Sequence, residues 1–360
     1  MKRKTYLEID LDAYRYNINV FRKRTGLKLI GIVKANAYGA GAVEIAKVLQ
    51  EEGTEIFGVS SLEEALELRK AGFKQEILLL GFCDKDYFDI IRDNNLSIVT
   101  VSMNYLTHCG DELSGVKCHL KLNTGMNRLG VKPEEAEEAL DYLIKHGAIV
   151  EGVMSHFATA DGDQDFAHKQ YSLFKRTVLS LSHDFKYIHM SATDGSIIIN
   201  DNFCTHVRIG LGLLGHSTYD IGLRNVMSLY SHVTCVKKLS AGETVSYGRH
   251  YTSDGEGYIL TLPLGYADGW LRANRDKEVY VENEKGRIVG SVCMDQLMVL
   301  TKNYHGLDAK VEFFGNHISL DERAKELGTI SYEIISLISD RVARKYKKGA
   351  EHYYLTPRFK

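Results

Sequence analysis

The residues best suited to chemistry stand at the ends of short apolar runs. Lys34 closes the run Leu29 to Val33 and is followed by Asn36, Tyr38 and two glycines, in the stretch KLIGIVKANAYGAG. A lysine at the tip of a core strand either reaches back to solvent or uses its amine as nucleophile or base, because lysine is rarely buried without a partner. Four later run ends carry further groups. They are Lys121 and Arg128 in HLKLNTGMNRLG, His156 in SHFATAD, Thr193 in HMSATDGS, and Arg208 with Gly210 in HVRIGLGLLG. Singly, each has an ordinary reading: Lys34 snorkels, Lys121 faces outward or is ion-paired, His156 is a hydrogen-bonded structural histidine, and Arg208 forms an ion pair. Polar groups converging from five run ends are better read as one site.

The elements that must position these groups alternate regularly. Strands are expected at Lys28 to Val33, Ile56 to Val59, Ile77 to Leu80, Ser97 to Thr100, Cys118 to Leu122, Val150 to Ser155, Tyr187 to His189 and Thr205 to Ile209. Helical stretches lie between them, including Ser61 to Lys70, which opens with a capping box of Ser61 and Glu64, and Pro133 to His146 with proline in its first turn. Eight strand–helix units predict parallel pairing and a closed (β/α)8 TIM-type barrel, an α/β fold. Such barrels place their sites at the C-terminal strand ends, with phosphate held after strands seven and eight. A helical stretch, Leu11 to Arg22, precedes the first strand. After about Leu223 the texture changes to short alternating runs: Ser231 to Val236, Gly257 to Leu262, Glu278 to Val281, Gly286 to Val292 and Lys310 to Phe314. The expected division is a barrel over 9–224 and a β-rich C-terminal domain over 225–360, with one last helix from Tyr332 to Lys345.

Composition limits the partners. At 360 residues the chain suits two domains, and a net charge of −2 offers no field for nucleic acid or an anionic membrane. The expected partner is a small molecule. No apolar run is long enough to span a bilayer, and MKRKTYLEID lacks an apolar signal core, so a cytoplasmic protein is expected. Six cysteines without C-x-x-C spacing predict free thiols and no metal site. The acidic cluster of Glu134, Glu135, Glu137 and Glu138 reads as a solvated helix face, and Lys345 to Lys348 as a surface patch.

KANAYG, NTGMNRLG, SHFATAD and RIGLGLLG, followed by VSYG (Val245 to Gly248), GYADGW (Gly265 to Trp270), VCMDQ (Val292 to Gln296) and TISYE (Thr329 to Glu333), resemble the motifs of the alanine racemases and occur in that family's order. The resemblance runs from the first strand to the last helix. It implies a pyridoxal 5'-phosphate barrel followed by a β domain with which residues 1–8 pair, working as a homodimer with shared active sites. It implies that Lys34 holds the cofactor as a Schiff base and is one catalytic base, with Tyr247 of the partner subunit as the other. Arg208 would face the pyridine nitrogen, and His156 would lie against the ring or its network. Tyr38, Thr193 and Tyr332, with the N–H groups of Gly210 and Leu211, would bind the phosphate. Arg128 and Met294 would contact the substrate carboxylate. Lys121 matches a lysine that the family often carries as a carbamate, and Tyr266, Cys293 and Asp295 match positions at the entrance.

The implied activity is racemisation of L- and D-alanine, supplying D-alanine for peptidoglycan; the alternative is a racemase of serine or another amino acid on the same scaffold. Two bases on opposite faces of Cα invert configuration without turning the substrate, but lysine and tyrosine both have ordinary pKa values near ~10, so their surroundings must make them basic at neutral pH. An arginine cannot give its proton to the ring nitrogen, which implies a weaker electron sink and fewer side reactions. The chain also departs from the family pattern: Ala40 stands for a histidine, Asn123 where aspartate is common, Ala192-Thr193 for Asn-Ser, and Leu214 for a tyrosine. These changes put cofactor affinity and side-chain specificity in question.

Overall fold

The structure is a computed structural model describing residues 3–199 and 201–355. Its chain forms two compact units: one of Arg15–Ala37 and Gly41–Leu223, the other of the N-terminal residues through Tyr14, the short segment Tyr38–Ala40, and the chain from Arg224 onward. The β-rich unit therefore takes more of the N-terminus than a cut at residue 9 would give it.

The first strand, β1 (Tyr6–Asp10), belongs to that β-rich unit. The next eight form a closed barrel in chain order: β2 (Lys28–Ile32), β3 (Ile56–Val59), β4 (Glu76–Leu79), β5 (Leu96–Val99), β6 (Lys117–Lys121), β7 (Ile149–Met154), β8 (Tyr187–His189) and β9 (His206–Ile209). Every neighbouring pair is parallel, and β9 closes on β2 with Ile30 opposite Arg208. Strands β3, β5 and β9 are buried along their whole length, as expected of a parallel sheet covered on both faces. All eight lie within one residue of their expected bounds.

The β-rich unit is built on a ten-stranded sheet in the order Cys235–Leu239, Gly257–Leu262, Leu297–Thr301, Glu284–Val289, Glu278–Val281, Lys310–Phe314, Met227–His232, β1, Ala343–Lys348 and Glu351–Leu355. Two expectations fail in it. The run Ser231 to Val236 is not one strand but the end of Met227–His232 and the start of Cys235–Leu239, and the last helix stops at Leu337. Residues Ala343–Lys348 instead pair in parallel with β1, Tyr6 opposite Ala343 and Asp10 opposite Lys347. Charge fixes that register: Lys345 bonds Glu8 at 2.7 Å and Lys347 bonds Asp10 at 2.9 Å, so part of the expected surface patch is cross-strand pairing. Arg344, fully buried, donates to the carbonyls of Gly39, Ile338, Ser339 and Val342.

One buried charge organises the loops of this unit. Asp268 has no exposed side-chain surface; it receives both terminal guanidinium nitrogens of Arg3, lies 3.4 Å from Arg341 Nε, and accepts the Gly265 N–H at 2.9 Å. Removing a carboxylate that three donors share leaves those donors without their acceptor. Asp268→Ala should therefore cost about 3 kcal/mol, at the low end for a broken buried pair because both arginines reach water. Arg3→Ala should cost less, since Arg341 remains. Thermal unfolding of both variants checks the order; an Asp268→Ala variant as stable as Arg3→Ala would refute it.

Candidate active site

Lys34 leaves β2 into a turn that the sequence did not suggest. Ala35, Asn36, Ala37 and Tyr38 all have φ between 51° and 55°, one turn of left-handed helix without a glycine. Such a conformation costs roughly 1–2 kcal/mol per residue, so it persists only where other contacts determine it. Those in the barrel unit include three hydrogen bonds. Asn36 Oδ1 accepts the Ala42 N–H at 2.8 Å, the Ala37 N–H reaches Val33 O at 2.8 Å, and the Ala35 N–H reaches a carboxylate oxygen of Glu64 at 2.6 Å. The turn sets where the Lys34 side chain begins. Burial lowers the proton affinity of its amine, Arg128 and Arg208 lower it further, and Glu64 opposes them.

Arg208, on β9, is 3% exposed and has no carboxylate bonded to it among the described residues. The ion-pair reading of this residue is thus wrong. Its Nη1 donates to His189 Nδ1 at 2.7 Å and His189 O at 3.1 Å; its Nη2 donates to His156 Nδ1 at 2.9 Å, Ser155 O at 2.8 Å and Met190 O at 2.6 Å. Burial lowers its pKa to about 10, so it remains a cation at neutral pH. A guanidinium only donates, and both imidazoles must therefore accept through Nδ1 and carry hydrogen on Nε2. The chain continues inward: His189 Nε2 lies 2.8 Å from His119 Nδ1, which places the hydrogen of His119 on its partnerless Nε2. Burial, with Arg208 adding to it, holds His156 and His189 far below the ordinary histidine value and His119 down to about 3. All three are neutral acceptors or relays. Arg208 Nε is left without an acceptor among the described residues.

Lys121 ends β6 and is 5% exposed. Burial first, then Arg208, Arg128 and Lys34, lowers its pKa to about 8, so it is neither outward-facing nor neutralised by an acid. Arg128 lies on the following loop, which Asn123 folds. The Asn123 Oδ1 accepts the N–H groups of Gly125 at 3.2 Å and Asn127 at 2.9 Å, and its Nδ2 donates to Asn127 Oδ1 at 2.9 Å. Beyond β8, the Thr193 hydroxyl oxygen accepts the Gly212 N–H at 3.1 Å, leaving its hydrogen available to a ligand. Gly210 and Leu211 open the turn Leu211–Leu214 there. A Cβ on Gly212 would lie 2.5 Å from Phe21 and 2.8 Å from Thr193, so only glycine lets this turn approach the threonine.

The remaining predicted residues lie in the β-rich unit. Tyr38 and Tyr332 meet edge to face with ring centroids 5.9 Å apart. Tyr247 is 76% exposed, on a turn whose carbonyl accepts Ser291 Oγ at 3.0 Å, while Ser246 Oγ lies 3.5 Å from Cys293 Sγ. The carbonyls of Cys293 and Met294 accept the N–H groups of Tyr266 and Ala267, each at 3.0 Å, and Asp295 is salt-bridged to Arg341 at 2.6 Å. Tyr247, Tyr266, Cys293, Met294 and Asp295 are thus one connected group of loops. The structure brings together Lys34, Lys121, Arg128, His156 and Arg208 through their mutual charges, and separately Thr193 with the Gly210–Gly212 turn.

Models of the alanine racemase N-terminal and C-terminal domains match residues 9–218 and 226–346. An alanine racemase of Streptococcus uberis is 36% identical, with 96% of this chain and 98% of that protein covered. The chain belongs to the alanine racemase family. A solved alanine racemase from Bacillus anthracis, with bound L-Ala-P, superposes with a TM-score of 0.93 at 31% identity over 99% of this chain and 98% of that one. A histidine racemase from Leuconostoc mesenteroides subsp. sake gives 0.89 at 26% identity over 96% and 98%. By its membership of the alanine racemase family the protein is an enzyme, an amino-acid racemase.

Sequence reasoning missed three residues of this candidate site. His119 and His189 are the first residues of HLKLNTGMNRLG and HMSATDGS, but the link between them crosses 70 positions and depends on barrel closure. Glu64 shows in the sequence only as part of a helix cap. The charges around Lys121 give a direct test. Peptide-resolved amine labelling against pH should put half-maximal reactivity of Lys121 near 8, and Arg208→Gln should raise that midpoint by about one pH unit, because a positive neighbour that disfavoured protonation is gone. A midpoint unchanged in the variant would show that burial alone sets it.

Proposed function

We propose that this racemase interconverts L-alanine and D-alanine with pyridoxal 5'-phosphate on Lys34, that Lys34 and Tyr247 are its two bases, and that it works as a homodimer in which each Tyr247 serves the other chain's barrel. The reading is carried by the barrel-end donor set. A half-buried amine of lowered proton affinity stands among arginines, a threonine hydroxyl is ready to donate, and a buried guanidinium has one nitrogen without an acceptor among the described residues. That set suits an anionic aldehyde: the amine for attachment, Thr193 and the Gly210 and Leu211 N–H groups for its phosphate, and Arg208 Nε for its ring nitrogen. Tyr38 and Tyr332 take the further phosphate-binding roles that the family resemblance gives them.

When bound, the cofactor supplies a conjugated ring that stabilises negative charge at the Cα of an attached amino acid. The protein does the rest. Lys34 removes or returns the Cα proton on one face and Tyr247 on the other. The lowered proton affinity of Lys34 raises its neutral fraction at pH 7, and each tenfold rise in that fraction is worth about 1.4 kcal/mol. Arg208 stays cationic and would hold the ring nitrogen of the bound cofactor by a hydrogen bond without surrendering its proton, which would moderate charge withdrawal. His156 accepts from that guanidinium and fixes its plane. Arg128 and Met294 orient the carboxylate, while Tyr266, Cys293 and Asp295 shape the entrance. We also propose a cytoplasmic location and a role in supplying D-alanine to peptidoglycan.

The likeness to a histidine racemase motivates one second reading, a wider side-chain range. Exchange of the Cα proton in heavy water, compared for alanine, serine and histidine, should be about tenfold or more faster for alanine, a difference within reach of one pocket contact. Equal rates would favour the second reading.

Sharing of the site is tested by complementation. Lys34→Ala and Tyr247→Phe should each be nearly inactive as homodimers. Unfolded together and refolded, they form mixed dimers with one site lacking both bases and one lacking neither. Random pairing makes about half the dimers mixed, so activity should recover to about a quarter of wild type. No recovery despite confirmed chain exchange would mean that both bases come from one chain.

A further inference from the structure

Glu64 has a role beyond the helix it begins. In an ordinary capping box the third-residue carboxylate turns back to the N–H of the cap residue. Here the cap, Ser61, does accept the Glu64 N–H, at 3.4 Å. The Glu64 carboxylate, however, takes the N–H of Ser60 at 2.7 Å and its hydroxyl at 3.0 Å with one oxygen, and with the other takes the Ala35 N–H at 2.6 Å. One side chain thus clips the loop after β3 to the loop after β2. Its acceptor on the β2 side is engaged by the first residue of the left-handed turn, immediately after Lys34.

We propose that Glu64 is a positioning residue for Lys34: its carboxylate locks the left-handed turn that carries the lysine and provides the negative charge that balances the cations around the lysine amine. The proposal rests on Lys34 being the cofactor-bearing base. The groups around that amine come from several elements: Arg128 on the loop after β6, Lys121 at the end of β6, His156 after β7, Arg208 on β9, and Glu64 at the start of helix Leu62–Lys70. Of these, only Glu64 is acidic. A carboxylate in that company makes the lysine easier to protonate, while the arginines make it harder. A charged hydrogen bond to a peptide N–H also fixes the plane of the peptide that joins Lys34 to Ala35.

The test reads Lys34 itself. Amine labelling of the cofactor-free protein against pH, resolved to the Lys34 peptide by mass spectrometry, gives the titration midpoint of this residue without any catalytic assay. Glu64→Gln keeps an acceptor for the Ala35 N–H but removes the charge, and the midpoint should fall by about 0.5–1 pH unit. Glu64→Ala removes the acceptor as well, and should in addition weaken pyridoxal-phosphate binding about tenfold or more, measured by its absorbance on titration. Ser61→Ala removes the cap of the same helix while leaving the clip, and should leave both quantities as in the wild type. A Gln variant with an unshifted midpoint, or a Ser61→Ala variant that reproduces Glu64→Ala, overturns the proposal. Borohydride reduction of the loaded wild type, followed by peptide mapping, keeps the two levels apart: fixation of the cofactor at a lysine other than Lys34 would overturn the functional reading, whereas fixation at Lys34 with an unshifted Gln variant would overturn the role of Glu64 alone.

Discussion

A permanent cation buried without a counter-ion is the constraint on which the barrel end depends. Taking the Arg208 guanidinium out of water is costly, and among the described residues no carboxylate offsets the cost. Three carbonyls and two imidazoles do it instead. That solution fixes its neighbours. The imidazoles must stay neutral and point Nδ1 at the arginine, and the hydrogen of His189 must then face His119. Gly152 belongs to the same arrangement, since a Cβ there would lie 2.6–2.8 Å from the His119 ring. A cation that stays charged also makes it harder for other amines nearby to carry charge, and it adds to the effect of burial, the larger cause, in lowering the proton affinities of Lys34 and Lys121.

The left-handed turn after Lys34 is the second constraint, and it is mechanical. An amine that is to work at a defined point needs a fixed starting direction, and a strand that simply ran on into an ordinary helix would send the side chain elsewhere. Four consecutive residues at positive φ give a sharp, stiff corner at an energy cost that the surrounding contacts offset. Asn36 is the only one of the four whose side chain favours this region, and its Oδ1 carries one of those contacts.

How much of this was legible in the sequence follows the range of the interactions. Each barrel strand is a short, self-contained apolar run, so its position could be read locally to within one residue. The segment Ala343–Lys348 could not, because its strand character is conferred by pairing with β1, 337 positions away at Lys345–Glu8. A local reading finds apolar residues at helical spacing up to Leu337 and extends them too far. The same distinction divides the site. Lys34, Lys121, Arg128, His156, Thr193 and Arg208 were visible as polar groups at run ends, whereas the hydrogen bonds that link Arg208 to His156, His189 and, through it, His119 join β9 to β6, β8 and the loop after β7 and exist only once the barrel closes. The left-handed turn had one weak signal, Asn36, since alanine and tyrosine do not favour positive φ.

Three of the four departures from the family pattern, Ala40, Ala192 and Leu214, act through backbone carbonyls or apolar burial, whereas the fourth, Asn123, acts through its side chain. Ala40 is fully buried, and its contribution is a carbonyl that accepts the Tyr346 hydroxyl at 2.8 Å, which any residue supplies. Ala192 likewise acts through its carbonyl, accepting the Ser196 N–H at 2.9 Å and so shaping the turn that presents Thr193. Leu214 is buried within the turn Leu211–Leu214, whose neighbouring carbonyl at Leu213 is held by the Asn17 amide at 3.1 Å. Asn123 retains an oxygen for the two N–H groups that an aspartate would serve, but adds a donor for Asn127 and subtracts a negative charge from the loop beside Arg128. That last change has an electrostatic consequence. An aspartate there would partly neutralise the cations; with asparagine the cluster of Lys34, Lys121, Arg128 and Arg208 keeps its full excess of positive charge, which favours anionic ligands and leaves Glu64 as the acid that acts on Lys34.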